Sequence, residues 1–408
     1  MFNVKDFGAT GDGSTNEAKA IDSAITACAA QGGGIVHFPS GRYLSGTIHV
    51  KSNITIDISP GATIATSPED DDIDDLEDLP YNPDADGETT YFNPSLFRLD
   101  NVENVCILGG GIIDGNRVHR LGPKPIAVKQ CTRVTVRDIK VVNAPNYAIS
   151  FIDSEMINVD NAWIDHAFAD GIDFDGCWFG RISNCSISSA DDSICLKASP
   201  AIGKPIDCSH IAITNCTLLT PFTCFKLGSE TGPGNFMDIS LSNCTFGRPP
   251  GMEAHPGGIS ISSLDGAIVE RMAIANVTMH HIGSPISLSI ENRGRGQKVP
   301  VPGSVQDISI ANIVATDATS PCGISGIPGH RVKNVSIHDV TIELGPSAVQ
   351  GLTTGAIPAC VFHCRHAENV QVRNYNVIFP SNISTLKPAA MLEDVERSSI
   401  VVNDIVLN

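Results

Sequence analysis

Apolar and polar residues alternate along this chain in short runs, each closing on Asn or Asp followed by a small or apolar residue, and the unit recurs many times. Copies run from Val134 to Asp138, Ile157 to Asn161, Arg181 to Asn184, Ile211 to Asn215, Ile239 to Asn243, Ala273 to Asn276, Ile308 to Asn312 and Val335 to Asp339. Weaker copies surround Asn374 and Asn403. A period of two predicts strands with one face in a core. From Asp138 to Asn403 the closing positions lie 23, 23, 31, 28, 33, 36, 27, 35 and 29 residues apart, too irregular for propeller blades and too rich in strands for helical repeats. The pattern predicts an all-β parallel β-helix, in which each turn stacks on its neighbours to bury a shared core. About 23 residues is then the minimal rung and longer intervals carry loops. One domain of about ten or more rungs is expected over residues 1–408, with 1–50 as the N-terminal segment and 51–408 as rungs.

Asn at one corner of successive rungs predicts a side-chain ladder serving backbone groups that a tight bend leaves unpaired. The N-x-S/T matches at Asn184, Asn215, Asn243, Asn276 and Asn334 are read as ladder positions rather than glycosylation acceptors. Cys185, Cys216 and Cys244 share one phase and are read as stacked core thiols. Near the N-terminus, Ser14-Thr15-Asn16-Glu17 has the form of a capping box. Ile21, Ala24, Ile25 and Cys28 form an apolar stripe ending at Gly32-Gly33-Gly34, so one helix is expected to cover the open end of the coil.

Composition narrows what such a coil meets. Hydrophobic residues are 42% and aromatics 5%, with 37 Gly and 25 Pro, which suits many turns around a core of small aliphatics. A formal charge of −18 opposes nucleic acid and anionic membranes, which need clustered Lys and Arg; neither is an expected partner. No run approaches the ~18 apolar residues of a membrane span. Met1 to Asp6 lacks the build of a secretory leader, which reads as cytoplasmic, or as secreted or periplasmic where a leader has been removed. The 13 cysteines are odd in number and lack zinc spacing, so buried reduced thiols are expected, with no metal and no cofactor. Glu69 to Asp78 holds eight acidic residues in ten. Without the spaced Gly and terminal Glu of a calcium loop it reads as a solvated loop.

Asp170 lies 21 and 22 residues before Asp191 and Asp192. With a local rung of 23 residues, this places the carboxylates on adjacent rungs of one sheet. Crowded carboxylates raise at least one pKa, leaving one group to act as an acid and its neighbours as bases, as glycosidic hydrolysis requires. Asp-Gly and Asp-Asp also serve turns, so spacing alone leaves both readings open. Consecutive strand residues face opposite ways, so Asp191 and Asp192 point to one side only where the backbone bends.

Asp170-Gly171-Ile172-Asp173 is similar to the Asn-Thr-Asp-Gly motif of glycoside hydrolase family 28, the polygalacturonases, and Asp191-Asp192 resembles its Asp-Asp motif at the matching interval. The segment Phe2 to Gly13 with Phe38 to Tyr43 also looks like the opening shared by pectin-degrading β-helix enzymes. The resemblance implies a right-handed parallel β-helix, Asp191 as general acid, and Asp170 and Asp192 as activators of water. The family's Asn-Thr is Phe168-Ala169 here, its Gly-His-Gly aligns with Phe222-Thr223-Cys224, and its Arg-Ile-Lys is replaced near Ser289 to Gly294.

Cations at other positions are candidates to fill these gaps. With Phe225 and Leu227 inward, Lys226 should point outward; Lys226 and Arg293 are candidates to hold the substrate, with Glu230 as an acceptor. Lys197 joins them, and an inter-rung ion pair to Asp175 is its structural alternative. His166 reads as a loop residue. The expected activity is inverting hydrolysis of a galacturonide or related uronic-acid or pectic bond in an oligo- or polysaccharide. Exo action follows if loops at residues 66–95 or 247–257 wall off the cleft. Two alternatives keep the fold: a lyase using calcium-assisted β-elimination, and a non-catalytic polysaccharide-binding β-helix.

Overall fold

The computed structural model describes residues 1–254, 256–346, 360–379, 389–402 and 406–407. The repeat around Asn403 lies outside them. Contacts divide the chain into two compact units, Met1–Asp191 with Pro200–Ile206, and Asp192–Ser199 with Asp207–Asn408.

In the first unit, strands stack in parallel files. One runs through Gly34–Phe38, Ile54–Ile58, Glu103–Leu108, Thr132–Arg137, Asn158–Asp160 and Trp178–Ser183. Another runs through Ser95–Asp100, Lys124–Lys129, Ile149–Ile152 and Ile172–Asp175. Ile126 pairs with Ile149 and Ile149 with Ile172, so the 23-residue sequence interval is a physical rung. Alternation then sends Val134, Val136, Val159 and Ile182 into the core, each without exposed surface.

In the second unit, strands are longer and bend without ending. Phe236–Gly247, Ile268–His280, Ser304–Ala318 and Val332–Leu344 stack in parallel. Their corners are made by residues with positive φ, among them Asn243, Asn276, Asn312 and Asp339 at 55° to 58°. Asn and Asp tolerate this left-handed region better than other residues with a Cβ, which explains why they close each repeat. The ladder differs from the expected backbone pattern, because its hydrogen bonds run between side chains. Asn276 Nδ2 donates to Asn243 Oδ1 at 3.0 Å and Asn312 Nδ2 to Asn276 Oδ1 at 3.0 Å.

The helix Ala18–Ala30 buries Ile21, Ala24, Ile25 and Cys28, the expected stripe. The capping box does not form. Glu17 gives the helix no side-chain cap and instead accepts from Thr10 N, Thr10 Oγ1 and Gly11 N at 2.9, 2.6 and 2.9 Å. Asn16 Oδ1 accepts from Ala18 N at 3.0 Å. Gly33 has φ +112°, and a Cβ there would meet Asn53 O at 2.2 Å, so the chain leaves the helix through a position that excludes other side chains. All 13 cysteines are free and all but Cys106 are buried. A hydrogen bond from Cys216, with burial, pushes the Cys244 thiol above its usual range.

Candidate active site

Asp170 precedes the strand Ile172–Asp175, whose Phe174 packs edge-on against Phe151 of the previous rung with ring centroids 5.1 Å apart. Asp170 is only 4% exposed, and its carbonyl accepts Ala148 N at 3.1 Å. Asp173 and Asp175 are buried on the same strand. One rung later the strand Ser186–Ser189 ends, the backbone bends through residues 190–193, and the next strand starts at Ile194. Asp191 and Asp192 occupy that bend, which removes the strict alternation of a strand.

Within the first unit a carboxylate oxygen of Asp170 lies within 4.8 Å of one of Asp191. Asp191 is not alone with that charge. Arg120 Nη1 donates to Asp191 Oδ2 at 2.6 Å, while Nε and Nη2 of the same guanidinium grip Glu88 at 2.9 and 2.6 Å. The Glu88 hydrogen bond, then Asp191, raise the Arg120 pKa against the cost of desolvation. Sequence reading missed Arg120 because it lies in a connection between the strands Ile112–Asp114 and Lys124–Lys129, where periodicity carries no information. The available signal was the basic run Arg117, His119 and Arg120 in a chain of charge −18.

The second unit holds Asp192 and the four substrate candidates. Lys226 lies in the strand Thr223–Thr231 between the fully buried Phe225 and Leu227. It points outward with 28% of its side chain exposed, and its Nζ is 2.7 Å from Asp192 Oδ2. Lys197 is buried with its Nζ 3.8 Å from Glu230 Oε2, the pair being 3% and 1% exposed. Arg295, another residue the sequence reading passed over, donates to Glu230 Oε1 at 2.6 Å. Arg293 clasps the buried Asp265 through Nε at 2.8 Å and Nη2 at 2.5 Å, and also donates to Ser229 O. The structure thus brings Lys226 to Asp192, joins Lys197 to Glu230, and ties Arg293 to a carboxylate that sequence reasoning had not singled out. His166, in the strand Trp163–Ala167 rather than a loop, is exposed beside Asp165.

The acidic run is not simply solvated. Asp74 accepts from Arg98 Nη1 and contacts His49 Nε2, both at 2.8 Å, and Glu77 accepts from Phe92 N at 2.8 Å. Asp70, by contrast, is 97% exposed.

A model of the rhamnogalacturonase A/epimerase, pectate lyase-like family matches residues 1–217. A probable polygalacturonase of Vitis vinifera is 24% identical over 86% of this chain and 78% of its own length. An exopolygalacturonase structure from Thermotoga maritima is 22% identical with a TM-score of 0.70, covering 84% of this chain and 87% of that one. The family 28 exopolygalacturonase of Yersinia enterocolitica is 17% identical with a TM-score of 0.78, covering 99% and 78%. At these identities the structures establish the fold, a right-handed parallel β-helix.

Proposed function

Because the chain belongs to the rhamnogalacturonase A/epimerase, pectate lyase-like family, we propose that this glycosidase cleaves a galacturonide or related pectic bond, with Asp191 as general acid and Asp170 and Asp192 as activators of water. The observation that carries the reading is the approach of the Asp170 and Asp191 carboxylates to within 4.8 Å, which folding would not favour without a use for the crowded charge. In the reaction Asp191 gives its proton to the glycosidic oxygen as the bond to the anomeric carbon breaks. Water attacks that carbon, and its proton passes to an aspartate base.

Arg120, bound to Asp191 and anchored on Glu88, must release that carboxylate before Asp191 can act as an acid, because a guanidinium in hydrogen-bond contact favours the ionised form. Lys226 and Arg293, 28% and 35% exposed, are the candidates for direct contact with substrate. Lys197 and Glu230 have almost no surface to offer, so their part is to support the residues around them. Inversion is carried by the resemblance.

The test is a panel of pectic oligosaccharides incubated with wild type and Asp191→Asn, with and without chelator, reading reducing ends, near-ultraviolet absorbance and product anomer by NMR. Reducing ends of inverted configuration, indifferent to chelator and lowered about 10²–10⁴-fold in the variant, are expected. Unsaturated product that needs a metal, or turnover untouched by Asp191→Asn, would reject the assignment.

A further inference from the structure

The first unit contains an open cleft of about 560 Å³ beside the acidic run, walled by residues that, Glu88 apart, the proposed reaction leaves without a role. Its volume falls within the ~300–1,000 Å³ of small-molecule sites. One part of its wall is apolar, from Ile73, Leu76, Tyr91, Pro94, Leu121 and Pro123. The other part carries five carboxylates, Asp70, Asp74, Asp75, Asp86 and Glu88, and the lining includes neither Lys nor Arg. The cations nearby stand behind the lining, paired with its carboxylates or its backbone: Arg117 lies 3.6 Å from Asp70, Arg98 binds Asp74 and Asp100, Lys124 is buried and donates to Tyr91 O at 2.6 Å, and Arg120 bridges Glu88 to Asp191. Glu88 therefore belongs both to the cleft and to the chain of contacts that ends on the proposed general acid.

A sugar ring has apolar C–H faces, which suit Tyr91 and the aliphatic wall, and hydroxyl donors, which suit carboxylate acceptors. A uronate would add its charge beside five carboxylates, three of which, Asp70, Asp74 and Glu88, are paired with Arg117, Arg98 and Arg120, and none of those three arginines lines the cleft to receive it. We propose that this cleft is a glycosyl subsite adjoining Asp191 that takes an uncharged sugar residue and rejects a uronate. The inference rests on the glycosidase reading and sharpens it. The chain then acts where a pectic backbone presents a neutral residue, a neutral branch or an esterified uronate, rather than along bare polygalacturonate.

Methyl-esterified tetragalacturonate and free tetragalacturonate share one set of rings and differ in charge and in the ester methyl groups. Calorimetric titration of both into full-length Asp191→Asn reads binding without turnover. The esterified tetramer is expected to bind at least tenfold more tightly, by a margin that shrinks with added salt. In the Asp75→Asn/Asp86→Asn double variant the acid form should gain and the ratio fall below about threefold. Tyr91→Ala, with its circular-dichroism melting curve checked against the parent, should lose at least tenfold on the esterified tetramer. Equal or tighter binding of the acid form, no binding of either, or a ratio unmoved by the double variant overturns the proposal. Reducing-end release by wild type is scored separately. Hydrolysis without the charge preference sinks the subsite alone, and the preference without hydrolysis sinks the glycosidase reading alone.

Discussion

An ammonium 2.7 Å from a carboxylate favours its ionised form, and Lys226 stands in that relation to Asp192. If Asp192 works as a base, Lys226→Met should let it take up a proton at higher pH, so the acidic limb of the kcat/KM profile should move upward. A loss of activity uniform across pH would instead mark a role in binding only. Glu230 makes a different case. It is 1% exposed and serves Lys197 and Arg295, so Glu230→Ala removes one member of a buried ion-pair network and should cost about 3–5 kcal/mol, read as a drop in the urea midpoint. These two residues also show what a sequence can reveal at this scale. The outward course of Lys226 follows from Phe225 and Leu227 on either side of it. The clasp of Arg293 on Asp265 and the bridge from Arg120 to Asp191 do not follow, because loop residues obey no period and find their partners only after the chain has coiled.

At the scale of elements, the ladder was legible because the same physical demand recurs on every rung. A corner in the left-handed region selects Asn or Asp, and the parallel stacking of one rung on the next brings their side chains into contact however many residues lie between. Asn312, at φ 55° and donating to Asn276, can be used to separate the two contributions. Asn312→Gly loses the hydrogen bond and keeps the backbone freedom, whereas Asn312→Ala loses both, so Ala should be the more damaging by about 1–2 kcal/mol. Equal losses in local hydrogen exchange would mean that the side-chain bond alone matters. The capping box failed for a related reason. Its spacing is right, but Glu17 is drawn into the turn at Thr10 and Gly11, a tertiary partner that outcompetes the local one. The acidic run misled in the same way, since Arg98 and His49 reach Asp74 from 24 and 25 residues away.

Over the whole molecule, acid should act in two windows, since two kinds of group titrate below their ordinary range. Hydrogen bonds and cations hold four carboxylates low: Thr15 and Ser14 beside Asp12, Arg271 beside Asp238, Asn374 and His338 beside Asp339, and His366 and Arg331 beside Asp394. A carboxylate depressed on folding contributes stability that is present above its unfolded pKa of about 3.9 and is lost as pH falls through the folded value. His363 is depressed for another reason. Burial, with Arg365 nearby, disfavours its charged form. It faces Gly323 on the adjoining strand, where a Cβ would stand 1.8 Å from the imidazole. Its unfolded state therefore takes up a proton first, and stability should begin to fall below about pH 6.5. The melting temperature should then be level from that pH up to about 8, decline gently down to about 4, and fall more steeply below. His363→Phe keeps a ring opposite Gly323 and removes the titration, so it should flatten the upper window and leave the lower one unchanged. An upper window that survives in His363→Phe would assign it to another histidine, and a profile level down to pH 3 would mean that the paired carboxylates contribute nothing to the fold.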